Sequence, residues 1–119
     1  MKMVHVTINT SDLEKSLEFY QEIIGLSIQT DLRKTAGRPI VFLADGVEDV
    51  CVELIENPEQ PYHGDGLSIG FHVDDVDAAY VRLQEKGLTL SPVISPNPHT
   101  KFFFVDSPEG VRIQLIFEG

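Results

Sequence analysis

The sequence predicts an α+β fold: two βαβββ modules, at about residues 1–57 and 66–119 of a single domain 1–119, forming curved mixed sheets with outer helices and a concave ligand cleft. Three observations carry this expectation. An eight-residue pattern occurs twice, as HVTINTSD at 5–12 and SIGFHVDD at 68–75, so that His5 falls opposite Ser68, Asn9 opposite His72 and Asp12 opposite Asp75. Each copy leads through an Asp into a run of helical period that stops at a glycine. Three further strand-like runs then follow each helix.

Residues 3–9 alternate, with Val4, Val6 and Ile8 on one face and His5, Thr7 and Asn9 on the other, as a half-buried strand does. Ser11 or Asp12 supplies a helix cap. Leu13, Leu17, Tyr20 and Ile24 recur at helical spacing, and Gly25 sits where a C-terminal glycine cap belongs. Residues 26–32 read as the second strand, 33–38 as a turn around Gly37, and 39–44 as the third strand. Asp45-Gly46 signals a turn, and 50–55 is the fourth strand, with Val52 and Leu54 on one face and Cys51, Glu53 and Ile55 on the other.

Residues 56–66, ENPEQPYHGDG, form the connector, rich in Pro, Gly and charge. The cycle then restarts. Residues 67–73 are a strand, with Leu67, Ile69, Phe71 and Val73 facing one way and Ser68, Gly70 and His72 the other. Residues 75–86 are a helix with Val76, Tyr80 and Leu83 inward and Gly87 just beyond it. Residues 88–94 read as a strand that Pro92 places at a sheet edge, and 95–100 as a loop. Residues 101–106 and 111–117 are the last two strands, joined by the turn Ser107-Pro108-Glu109-Gly110.

A chain of 119 residues with 42% apolar residues can bury a core of its own without disulfide staples. The net charge of −10 argues against nucleic acid or an anionic membrane as partner and favours cationic or neutral ligands. A single cysteine, Cys51, excludes an intrachain disulfide and fits the reducing cytoplasm. There is no signal-peptide pattern, because Asn9 to Asp12 break the first apolar run, and no run approaches the roughly 20 apolar residues of a membrane helix.

In each module the helix covers one sheet face. The opposite faces carry His5, Thr7, Asn9, Glu53, Ser68, His72 and Gln114, which are therefore the candidate lining of a ligand cleft. Phe102, Phe104 and Ile116 are apolar candidates near it, whereas His63 and His99 fall in loops.

Several stretches together resemble the vicinal oxygen chelate superfamily, whose members include glyoxalase I, extradiol dioxygenases and bleomycin-resistance proteins. They are His5…Asp12-Leu13…Ser16…Phe19-Tyr20…Gly25-Leu26, Val52-Glu53-Leu54, Val73-Asp74-Asp75 and Asp106-Ser107-Pro108-Glu109-Gly110. In its metalloenzymes a divalent ion is held by one residue from the first and one from the last strand of each module. The resemblance places His5 and Glu53 at those positions in the first module, and Ser68 and Gln114 in the second. His5 and Glu53 look like an intact half-site. Ser68 stands where the family usually has His, and Gln114 where it has Glu, although an amide serves as ligand in some members. His72 lies two residues beyond Ser68, about 6.5–7 Å along the strand, too far to replace it without a slip of the backbone. Asn9 replaces an Arg of the glutathione-using members, while Asn57 matches a glutathione-contacting Asn.

The resemblance implies a small-molecule-binding protein of the drug-sequestering, bleomycin-resistance type, needing no cofactor and acting as a homodimer. The alternative is a glyoxalase-I-like lyase or related isomerase or dioxygenase. That enzyme would use Ni, Zn, Mn or Fe held by His5 and Glu53, with Gln114 as a further candidate ligand and Glu53 as base. Whether the chain is an enzyme stays open at this point.

Overall fold

The computed structural model describes residues 1–119, which divide into two compact units, Met1–His63 and Gly64–Gly119. The first holds β1 (His5–Thr10), α1 (Leu13–Glu18) running on into a π-helical turn (Phe19–Ile24), β2 (Ser27–Asp31), α2 (Leu32–Thr35), β3 (Ile40–Ala44) and β4 (Cys51–Glu56). The second holds β5 (Ser68–His72), α3 (Val76–Glu85), β6 (Ile94–Asn97), β7 (Thr100–Asp106) and β8 (Arg112–Glu118). The sheets run β1-β4-β3-β2 and β5-β8-β7-β6, each with one parallel pair, first strand to last, and antiparallel neighbours beyond it. Both modules are therefore βαβββ units with mixed sheets, as the repeat predicted.

Alternation builds each core. Ile8 and Thr10 of β1, Val52 and Leu54 of β4, and Val41 and Leu43 of β3 are buried beneath Leu13, Ser16 and Leu17 of α1. In the second unit Ile113, Leu115, Phe103 and Val105 are buried beneath Val76, Ala79 and Leu83 of α3. Each such aliphatic or aromatic side chain contributes about 1.5–3 kcal/mol by leaving water. Val4 and Leu67, expected on the inner faces, are 60% and 41% exposed, because the paired strands begin one residue later. Tyr80 is half-buried and sets its ring edge-on to Phe103 at 5.0 Å.

The two helices are capped alike: Asp12 accepts from the Lys15 N–H at 3.2 Å and Asp75 from the Ala78 N–H at 3.0 Å. Their lengths differ. Gly25 lies thirteen residues after Asp12, and Gly87 twelve after Asp75, both with positive φ. The additional residue of the first module is taken up by the π-helical turn, which widens the helix locally and buries both Phe19 and Tyr20.

Two sequence expectations are corrected. The segment 33–38 is not simply a turn, since Asp31 caps the short helix α2 by accepting the Arg33 N–H at 3.1 Å. The edge strand of the second sheet is Ile94–Asn97, not 88–94, and it takes in part of the stretch read as a loop. Leu90 makes only an isolated bridge to Val105, while the Ser91 hydroxyl accepts the Phe104 N–H at 2.8 Å. A strand with one neighbour needs only alternate backbone donors, so Pro96 does not exclude it.

Candidate functional site

The register shows that the open faces of the two sheets are built on one plan. Across the parallel pair of the first unit, His5 lies opposite Cys51, Thr7 opposite Glu53 and Asn9 opposite Ile55. Across that of the second, Ser68 lies opposite Arg112, Gly70 opposite Gln114 and His72 opposite Ile116. Phe42 is the β3 neighbour of Glu53, and Phe104 the β7 neighbour of Gln114. His5 and Ser68, Glu53 and Gln114, and Cys51 and Arg112 therefore occupy equivalent places.

In the first unit three predicted residues come together. Thr7 Oγ1 donates to Glu53 Oε1 at 2.5 Å, and His5 Nε2 lies 3.5 Å from the same oxygen. Glu53 is the most shielded of the three, its side chain 13% exposed against 40% for His5. Two neighbours on one oxygen hold the carboxylate in place and leave Oε2 without a protein partner. Glu53 therefore does not stand alone on the open face as an unpartnered carboxylate. The His5 ring also meets Phe42 edge-on at 5.8 Å, a contact the sequence reading missed. Asn9 does different work. Its side chain donates to the Gln60 carbonyl at 3.3 Å and its carbonyl accepts the Tyr62 N–H at 2.8 Å, so it ties the connector to β1. Asn57 accepts the Gln60 N–H at 3.2 Å and shapes the same turn.

In the second unit the equivalent residues make no such cluster. The Ser68 hydroxyl has no hydrogen-bond partner within the protein. Gly70 replaces Thr7, and a Cβ there would come within 3.2 Å of Gln114 Oε1, so the amide occupies space that the threonine takes in the first unit. His72 is not drawn towards Ser68 or Gln114. Its Nε2 pairs with Asp74 at 2.9 Å and its ring lies 5.8 Å from Phe117. The residue missed here is Arg112, whose guanidinium lies 4.5 Å from the centre of the Phe104 ring. Its place two residues before Gln114, on the same strand face, was the available signal.

Neither unit by itself offers the donors of a complete divalent centre. An imidazole and a carboxylate face one another in the first unit, but the matching places in the second offer a neutral hydroxyl and an amide. No group of three or more His, Cys, Asp or Glu side chains converges as an ion cage.

Comparison with known proteins agrees with this architecture. A model of the Glyoxalase/Bleomycin resistance protein/Dioxygenase superfamily matches residues 2–115. A lactoylglutathione lyase of Neisseria meningitidis serogroup A is 28% identical over 124 residues, covering 98% of this chain and 90% of the relative. A probable lactoylglutathione lyase of Synechocystis is 29% identical, covering 98% and 95%. Among solved structures, the trypanothione-dependent glyoxalase I of Leishmania major superposes with a TM-score of 0.79 at 25% identity, covering 99% of this chain and 87% of that one. TnmS3, an antibiotic-binding protein from Streptomyces sp. CB03234, superposes with a TM-score of 0.77 at 25% identity, covering 100% and 97%.

Proposed function

Because the chain belongs to the glyoxalase/bleomycin resistance protein/dioxygenase superfamily, we propose that it binds a small organic molecule on the open sheet faces without a complete metal centre. In this reading it acts as a sequestering protein rather than a lyase. The carrying observation is the asymmetry of the two half-sites: His5 and Glu53 in one unit, Ser68 and Gln114 in the equivalent places of the other. A neutral hydroxyl and an amide are weaker ligands than an imidazole and a carboxylate, and Gln114 cannot act as a base. The antibiotic-binding relative supports this reading, as a neighbour of nearly equal length. We place the protein in the cytoplasm as a homodimer, and light scattering at micromolar concentration should return twice the chain mass.

The second reading is a metal-dependent lyase. The paired His5 and Glu53 favour it, as does the resemblance to proteins named lactoylglutathione lyase. In that case His5 and Glu53 would hold the ion, whose chemistry is polarisation of substrate oxygens.

Metal analysis of protein purified without chelator separates the two. Well under one equivalent of Ni, Zn, Mn or Fe per chain is expected, and a full equivalent retained through gel filtration sinks the sequestering reading. Ser68→His combined with Gln114→Glu should raise divalent affinity at least about a hundredfold, as a restored donor set would. A double variant that holds metal no better than the parent breaks the assigned equivalence of the half-sites.

A further inference from the structure

The open faces differ in charge at two equivalent places: Glu53 is matched by the neutral Gln114, and the neutral Cys51 by the cationic Arg112. Where the first unit has Cys51, beside His5, the second has Arg112, beside Ser68. A cavity of about 460 Å³ opens there, wholly within the second unit, and is lined in part by Asp65, Gly66, Ser68, Phe104, Asp106 and Arg112. Arg112 is exposed and makes no ion pair. Even Asp106, its neighbour across β7, does not come within pairing distance, and the guanidinium rests on the Phe104 ring instead. Ser68 brings an unused hydroxyl to the same cavity.

We infer that this cavity is an anion subsite for the planar monocarboxylate of a small aromatic ligand, with Arg112 as the cation that meets it. The inference rests on the small-molecule-binding reading above and names the ligand class for the second unit. A guanidinium offers two parallel N–H donors that match a carboxylate in one plane, and Ser68 adds a third donor from the adjacent strand. The guanidinium rests over the Phe104 ring at 4.5 Å, which holds its fork in place, and Leu67 and Phe104 on the cavity wall give an aromatic body apolar contact. Asp65 and Asp106 on the walls set the limit. They repel every negative charge, and Arg112 can offset one of them, so a dianion is disfavoured where a monoanion is accepted. Arg112 thus brings positive charge to the half-site whose Ser68 and Gln114 are poor metal ligands, by a group that needs no metal.

The test uses the full-length protein and three probes, 2-naphthoate, 2-naphthamide and naphthalene-2,6-dicarboxylate, with calorimetry and protein-observed NMR. The monocarboxylate should bind at least about fivefold more tightly than either of the others and should weaken as salt rises. Its resonance shifts should centre on Ser68 and Phe104. Arg112→Ala should weaken it at least about tenfold, the effect of removing a charge-assisted pair. Arg112→Lys should fall between, because it keeps the charge and loses the planar fork. Lys34→Ala removes one positive charge from the exposed surface of the first unit and should leave binding unchanged. Equal binding of naphthoate and naphthamide, or an Arg112→Ala variant that binds like the parent, overturns the anion subsite and leaves small-molecule binding standing. Failure of 2-naphthoate to bind at millimolar concentration also overturns the subsite. A stoichiometric retained metal overturns the functional reading beneath it, and that measurement does not depend on the probes.

Discussion

The two modules are alike where they are buried and different where they are open. Leu54 and Leu115 sit at equivalent places on the central strands and are almost wholly buried, and Asp12 and Asp75 cap equivalent helices. On the open faces the first module sets His5, Thr7, Cys51 and Glu53 against Ser68, Gly70, Arg112 and Gln114 in the second. Even inside, the modules differ in their polar contacts. Thr10 and Ser16 share a buried hydrogen bond of 2.8 Å in the first module, where Val73 and Ala79 stand in the second. The difference teaches that backbone register depends on the alternation facing the helix. The open face can change its donors without disturbing that register. Two half-sites of one geometry can therefore carry opposite chemistry.

The comparison can be broken most forcefully in the cores. Leu54→Ala and Leu115→Ala should each cost about 2–5 kcal/mol in urea denaturation, since both create a cavity in a packed interior. A loss under about 1 kcal/mol at either position would mean that the two cores are not equivalent. Next comes the open face of the first module. Thr7→Val removes a donor to a shielded carboxylate and should cost about 1–3 kcal/mol. Gly70→Thr in the second module should change stability by less than about 1 kcal/mol, because the Gln114 amide it crowds is the flexible end of a side chain. If Thr7→Val is neutral in thermal melts, the Thr7–Glu53 contact does not organise the half-site.

Smaller effects sharpen the likeness of the helices. Asp12→Ala and Asp75→Ala should each cost about 1 kcal/mol, with loss of helical ellipticity at lower temperature. A twofold disparity between them would show that the π-helical turn makes one cap more important than the other. The smallest effect belongs to a device present only in the first module. Arg33 lies 2.9 Å from Asp31 and 2.8 Å from Glu14. The hydrogen bond from Arg33 to the Asp31 side chain, opposed by burial, holds that carboxyl below its ordinary value of 3.8. A carboxylate with a depressed pKa contributes stability above its ordinary value and loses it as pH falls through the depressed one. The stability difference between the parent and Asp31→Asn should therefore be constant at neutral pH and shrink progressively as pH falls below 3.8. A difference that grows in acid would show that Arg33 does not stabilise the ionised form.

Much of this was legible in the chain itself. Period-two alternation in 3–9 and 67–73, the Asp caps and the glycines that end the helices need only neighbouring residues, so they are written locally. The repeat put Ser68 at the place equivalent to His5, the resemblance put Gln114 at that of Glu53, and the strand register of each unit gives both pairs equivalent places. The edge strand was misplaced because Pro92, Pro96 and Pro98 look like breakers, while the alternation at 88–94 looks like a strand. An edge strand is defined by one neighbour's hydrogen bonds, not by its own pattern. The π-helical turn left a trace only in the unequal spacing from Asp to Gly in the two modules.

What sequence determined, then, was the module, its repetition and which residues face away from the helices. Tertiary structure decided what those residues do there. Thr7 and His5 converge on one oxygen of Glu53, Asn9 turns to the connector, His72 to Asp74, and Arg112 to Phe104. The reason is physical. A face is set by alternation along one strand, but a contact is set by register between strands and by the rotamer each side chain adopts, and both are fixed only once the sheet has formed.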